Sequence, residues 1–186
     1  MKRFFDLFIA ILLLSVLLIP LALLSILIVL TSKGPTLYWS KRIGKYNVTF
    51  YMPKFRTMIL DAPEVATHLL EDPTSYYTPM GKFLRKYSID ELPQLYSIIH
   101  GDMSLVGPRP ALHNQTDLIE LRTKAEIHSL LPGITGLAQV KGRDELSIEN
   151  KVEIEAEYLR SASFLFDLRI IWLTLLKVIK KEGVSH

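Results

Sequence analysis

Residues 81–110 read GKFLRKYSIDELPQLYSIIHGDMSLVGPRP, and the reading of this stretch decides the fold. Adjacent carboxylates, Asp90 and Glu91, follow Arg85 and Lys86, and Arg109 comes after them between Pro108 and Pro110. Ser88 and Glu91 fit the Ser-x-x-Glu capping box, so Ser88 is the expected N-cap and both acids fall in the first turn of a helix. Pro93 lacks an N–H and its ring meets the carbonyl four residues back, so that helix must be very short or distorted. An Asp-Glu pair at an ordinary helix start merely offsets the macrodipole from a solvated surface. Two carboxylates beside a broken helix start, ringed by cations, are a rarer arrangement.

Upstream, residues 4–30 are almost wholly apolar, with Asp6 near the start and no charge from Leu7 to Thr31. That length can span a bilayer. A cleaved signal peptide is not expected, because the apolar run is too long and has no small-residue cleavage site. Pro20 sits in mid-segment and predicts a kink, with Ser15 near enough to bond back to the freed backbone. Lys2 and Arg3 precede the run, and Lys33, Lys41, Arg42 and Lys45 follow it. Positive flanks on both sides select no inside, as expected of a segment that enters and leaves by one face. A plain transmembrane anchor is the alternative, since proline is tolerated in membrane helices.

The 186 residues suffice for one domain with a sizeable core. With no cysteine, disulfides, thiolate nucleophiles and Cys-type zinc sites are excluded. A net charge of +3 suits anionic lipid or phosphate, but is too small and dispersed to argue for nucleic acid.

Beyond Gly34-Pro35, residues 37–40 and 47–52 predict short strands joined as a hairpin through Ile43-Gly44-Lys45. Lys54, Arg56 and Thr57 follow directly. A helix is expected from Asp61 toward residue 70, with His68 a surface or core residue. Residues 114–131 predict a helix, and residues 137–140 a short apolar strand after the turn residues Pro132, Gly133 and Gly136. Ser147 caps a further helix with an apolar stripe of Ile148, Val152, Ala156 and Leu159. Glu149, Glu153, Glu155 and Glu157 are read as its solvated face. Residues 164–181 predict a helix apolar nearly all round, either lying at a membrane interface or buried in the core. His113 and His128 have no metal-ligand spacing.

Three segments carry a family resemblance: SIDELPQL with GDMSLVGPRP, Lys54-Phe55-Arg56-Thr57-Met58, and residues 132–140 (PGITGLAQV) with Gly142-Arg143. In this order they resemble bacterial sugar transferases, the small monotopic phosphoglycosyltransferases. The resemblance implies an α/β fold, mostly helical with a few short strands. It also implies a re-entrant helix-break-helix over residues 1–32 and a cytosolic catalytic domain over residues 33–186, at the cytoplasmic face of the bacterial inner membrane. The family's usual break is Ser-Pro, where this chain has Ile19-Pro20, and Pro53 stands where the family more often carries an aromatic.

The activity so implied moves a sugar-1-phosphate from a UDP-sugar to polyprenyl (undecaprenyl) phosphate and releases UMP, the first membrane step of a glycoconjugate pathway. Asp90 matches the family nucleophile and would form a covalent phosphosugar-aspartyl intermediate. The helix start and nearby arginines predict that it is ionised at neutral pH. Glu91 is its partner, either helping to hold Mg2+ or orienting Asp90. Lys54, Arg56 and Thr57 are expected to face the phosphates, with Arg85, Arg109 and Arg143 as bidentate phosphate contacts. Pro108, Arg109 and Pro110 are associated with the uridine end, and Gln139 is counted among the substrate-binding residues. A phosphate monoester acceptor, with a second pKa of about 6, needs no histidine base. Two other classes remain: a membrane-anchored scaffold without activity, and a glycosyltransferase that releases UDP.

Overall fold

The computed structural model describes residues 1–63, 65, 72–142 and 146–180, apart from the side chains of 179 and 180. Most of the helix expected from Asp61 toward residue 70, together with His68 and Arg143, lies outside the described residues; residues 61–63 are described and are not helical.

Helix α1 (Lys2–Thr31) is a single helix of 30 residues with Pro20 inside it. The expected break is therefore absent. Proline removes one ladder bond, while the leucines and isoleucines around it keep theirs, and Ser25 Oγ bonds back to Leu21 O at 2.8 Å one turn later. Asp6, Ala10 and Ile28 are buried, and Leu14, Leu21 and Leu24 pack beside them. This stripe, with spacings of three, four and seven, lays α1 against the rest of the chain. Ile11, Leu12, Val16, Leu18, Ile19 and Leu23 remain exposed.

Both ends of α1 hold to the remainder of the protein. At the start, Lys2 Nζ pairs with Asp167, Arg3 Nη1 donates to Ile98 O at 2.7 Å, and Asp6 accepts from Ser104 Oγ at 2.8 Å. At the end, Ile28 packs with Phe55 and Leu84.

Strands β1 (Leu37–Ile43) and β2 (Thr49–Phe55) form the expected hairpin, longer than the sequence indicated. Pro53 is tolerated because β2 is an edge strand of its sheet, paired only with β1. Helix α2 (Gly81–Lys86) leads into a 3-10 helix, Ile89–Gln94, and then α3 (Leu95–His100). Pro93 lies inside the 3-10 helix, so the short, distorted helix start is as expected.

Next come β3 (Ser104–Val106), β4 (Ala111–Leu112), which completes the first sheet, and α4 (Thr116–Lys124). The helix expected over residues 114–131 thus stops early. Glu126 takes φ 60° and Ile127–Ser129 continue only as a 3-10 turn.

Strand β5 (Gly133–Thr135) runs parallel to β3. Residues 137–141 are α5 (Leu137–Lys141), not the expected strand, because the ladder partner of β3 has already been supplied by residues 133–135. A Cβ on Gly133 would stand 2.1 Å from Gly107 N, so this close pairing requires glycine.

Helix α6 (Ile148–Ser161) starts at Ser147, whose Oγ accepts from Asn150 N at 3.2 Å as expected. Glu155 is not solvated: it is buried, with both carboxylate oxygens on Arg122 at 2.6 and 2.7 Å. Helix α7 (Phe164–Lys180) sets Asp167 and Ile170 inward and leaves Leu165, Trp172, Leu175 and Val178 exposed. The fold is mostly helical with a few short strands.

Candidate active site

Strand β1 is the middle strand, so β2, carrying Lys54, and the 108–110 segment leading into β4 flank it on either side. Opposed residues of antiparallel strands share a face. Tyr38 opposes Lys54 and Arg42 opposes Phe50, so Tyr38, Ser40, Arg42 and Lys54 all project from one face. The 3-10 helix packs on β2 and brings Asp90 and Glu91 to this face.

Glu91 Oε1 accepts from Lys54 Nζ at 3.0 Å and from Arg109 Nη2 at 2.6 Å, with Arg109 Nη1 3.5 Å from Oε2. Ser88 takes φ 53° and makes no side-chain cap, so the expected capping box does not form. A box needs its N-cap residue in extended backbone, and two cations offer Glu91 stronger, charge-assisted bonds than a lone amide.

Burial sets the electrostatics. Asp90 is buried, and desolvation pushes its carboxyl above the ordinary range. Glu91 adds to the rise, while Lys54, Arg85 and Arg109 oppose it. The expectation that the helix start and nearby arginines hold Asp90 ionised therefore needs correcting: the cations offset the burial penalty only in part, and the carboxyl is raised. The same burial pulls Lys54 from 10.5 down to about 8.

Arg85 Nε donates to Thr57 Oγ1 at 2.9 Å, and its guanidinium lies 5.2 Å from the Tyr77 ring centre. Thr57 thus holds the Arg85 side chain. Arg56 is engaged elsewhere: its Nη atoms donate to Ser32 O, Ser32 Oγ and Lys33 O, closing the exposed carbonyls after α1. Gln139 lies in α5 and donates to Ile134 O at 3.0 Å, bracing the turn after β5.

The 108–110 segment is fixed from two sides. Gly133 N donates to Pro108 O at 2.9 Å, and Arg42 Nη1 donates to Pro110 O at 3.1 Å. From the sequence Arg42 is only a positive charge flanking the apolar segment, and Ser40 only the end of a short strand. The alternation Tyr38, Ser40, Arg42 was the available signal once β1 was paired with Lys54.

Asp90 and Glu91 are hard oxygen donors of the kind Mg2+ takes. Among the described residues no three His, Cys, Asp or Glu side chains stand together as a cage. Two carboxylates fit an ion whose remaining positions go to substrate phosphates and water.

An exposed apolar helix beside a buried, cation-rich carboxylate pair defines a membrane-associated domain suited to an anionic substrate. The chain belongs to the bacterial sugar transferase family, whose profile matches residues 1–181. It is 40% identical over 188 residues to an uncharacterized sugar transferase, EpsL, of Bacillus subtilis (strain 168), covering 100% of this chain and 91% of the relative. An undecaprenyl-phosphate galactose phosphotransferase of Salmonella typhimurium is 32% identical over 98% of this chain. An undecaprenyl-phosphate glucose phosphotransferase of Komagataeibacter xylinus is 37% identical over 100% of it. The chain spans 41% and 36% of those two longer relatives.

Proposed function

We propose that this protein transfers a sugar-1-phosphate from a UDP-sugar to polyprenyl phosphate in polysaccharide synthesis, releasing UMP. The observation that carries the reading is the buried Asp90 beside a Glu91 clamped by Lys54 and Arg109, with Arg85 and Arg42 close by. Two relatives named as undecaprenyl-phosphate sugar phosphotransferases supply the acceptor class.

An Asp90 oxygen attacks the phosphorus that bears the sugar. The bond from that phosphorus to the bridging oxygen breaks, and UMP leaves with the electron pair. An oxygen of polyprenyl phosphate then attacks the same phosphorus and releases the Asp90 carboxylate. Partial desolvation strengthens Asp90 as a nucleophile, and Lys54, Arg85 and Arg109 oppose the charge that builds on the phosphoryl oxygens. Mg2+ held by Asp90 and Glu91 together with the donor's phosphates would neutralise part of the diphosphate charge.

Topology follows from α1. At ~1.5 Å per residue its 30 residues measure about 45 Å. Both ends rest on the same domain, while residues around Ile11–Ile19 are apolar and exposed. This supports a helix whose middle dips into the bilayer from one face, with the exposed side of α7 at the interface. The donor nucleotide is made in the cytosol, so that face is the cytoplasmic side of the inner membrane.

The test is an assay of the purified protein with undecaprenyl phosphate and a panel of UDP-sugars, with Mg2+ present and chelated. UMP release is expected, along with a phosphosugar adduct on Asp90 when the acceptor is withheld. UDP as the by-product would mean transfer of the bare sugar, and no nucleotide release with any donor would favour a scaffold.

A further inference from the structure

The acceptor of the proposed reaction must be in two places at once. Its chain stays in the bilayer, while its phosphate has to reach the phosphorus carried by Asp90. Helix α2 (Gly81–Lys86) lies between those places. Leu84 is fully buried and packs with Phe55 of β2 and with Ile28 of α1, the part of that helix where Leu23, Ile26, Leu27 and Leu30 are exposed. Arg85, the next residue, is held by Thr57 Oγ1 at 2.9 Å and favours the charged form of Asp90.

Between these two sides the outer surface of α2 passes from apolar to cationic. At ~100° per residue, Tyr87 and Phe83 stand ~60° and ~100° round from Leu84, on the side away from Arg85. Lys86 and Lys82 come next and complete the circuit to Arg85. Phe83 is 50% and Tyr87 39% exposed, and their ring centres lie 5.0 Å apart, so they form one patch. Lys82 and Lys86 are exposed as well. Lys86 Nζ sits 5.9 Å from the Tyr87 ring centre, where the apolar stripe meets the charged one. An aromatic pair adjoining the apolar side of α1, then two lysines, then the arginine beside the nucleophile repeat the order of an anionic amphiphile.

We infer that α2 is the docking surface for the polyprenyl phosphate acceptor, with Phe83 and Tyr87 under the first isoprenoid units and Lys82 and Lys86 leading the phosphate toward Arg85. The inference rests on the reading of Asp90 as nucleophile and of α1 as the bilayer anchor. Tyr87 stands three residues before Asp90, which ordinary lipid has no need to approach and the acceptor must.

Three double variants of the full-length protein test this: Phe83→Ser with Tyr87→Ser, Phe83→Leu with Tyr87→Leu, and Lys82→Gln with Lys86→Gln. UMP release is followed against undecaprenyl phosphate and, separately, against donor, and the Asp90 adduct is measured without acceptor. Co-sedimentation with mixed phosphatidylcholine and phosphatidylglycerol vesicles reads membrane binding. Thermal unfolding in detergent is followed with and without undecaprenyl phosphate. The serine variant should raise the acceptor KM about ten-fold, the loss expected when two half-exposed rings no longer bury apolar area. The leucine variant should keep most of the affinity, and the glutamine variant should raise the acceptor KM about three-fold, less at high salt. Donor KM, adduct formation, vesicle binding and the ligand-free melting temperature should change little, while stabilisation by undecaprenyl phosphate shrinks in the serine variant. An unchanged acceptor KM with unchanged stabilisation overturns the inference and leaves the transferase reading standing. Loss of vesicle binding with the acceptor KM intact also overturns it, since the patch then serves bulk lipid. Slower adduct formation at an unchanged acceptor KM overturns it too, by assigning α2 to the first step. Wild type that releases no UMP, yet is stabilised by undecaprenyl phosphate more than the serine variant is, refutes the transferase reading and keeps the docking surface.

Discussion

Lys54 is built into the site at a cost in stability, and replacing it with methionine should expose that cost. Burial lowers its pKa from 10.5 to about 8, with Glu91 recovering part of the loss and Arg109 and Arg42 adding to it. At ~1.4 kcal/mol for each tenfold change in proton affinity, the buried ammonium costs ~3 kcal/mol at pH 7. Methionine fills the same space without a charge and leaves Glu91 paired with Arg109. Lys54→Met should therefore raise stability by about 1–3 kcal/mol, which corresponds to ~2–10 °C in melting temperature for a domain of this size. Activity should fall at least about a hundred-fold, because a cation at the phosphoryl oxygens is gone.

The pH dependence gives a second check on the same residue. Between about pH 8 and 10.5 the unfolded chain keeps the Lys54 proton that the folded protein releases, so stability rises with pH across that window. In Lys54→Met that rise should vanish. Unfolding followed by near-UV circular dichroism in detergent from pH 7 to 10, alongside UMP release, reads both effects. A variant that melts lower than wild type, or one that keeps most of its activity, refutes the account of Lys54 as a strained cation kept for its charge.

Asp90→Asn should abolish UMP release and the acceptor-free adduct while leaving the melting temperature equal or higher, since burial already disfavours the charged form; residual turnover above a small fraction of wild type would remove Asp90 as nucleophile. The acid limb of kcat/KM should lie above the ordinary aspartate value of about 4, because desolvation raises Asp90. An acid limb at or below that value would contradict the burial. Arg109→Ala should weaken donor use roughly ten- to hundred-fold and also loosen Glu91, which shares it with Lys54; a lower melting temperature at full activity would make Arg109 structural. Because the chain has no cysteine, single cysteines at positions 2 and 33 report topology directly. Both should resist an impermeant thiol reagent in intact cells, and labelling of position 2 alone would make α1 a span.

Local signals were enough for much of this. The long apolar α1, the hairpin, the Ser147 cap and the shortened helix around Pro93 depend on periodicity, capping and the missing proline N–H, all properties of neighbouring residues. The dyad was legible for the same reason, since Asp90 and Glu91 are adjacent in the chain. Where a short apolar run could serve either element, as at residues 137–141, sequence could not choose, because the choice turned on which segment had already paired with β3.

Side-chain partners were decided only by the tertiary structure. Lys54 and Glu91 are 37 positions apart, and they meet because the register of β1 and β2 and the placement of the 3-10 helix bring them together. Arg56, two residues beyond Lys54 in the same motif, is drawn instead to the carbonyls after α1. Glu155 looked solvated by its helical spacing, but Arg122 makes burial affordable with a two-point ion pair. Arg42 carried no motif at all. The sequence determined which elements form and where the acids lie. The packed structure determined which charges lose water and which partners replace it, because desolvation depends on everything that surrounds a group and not on its neighbours along the chain.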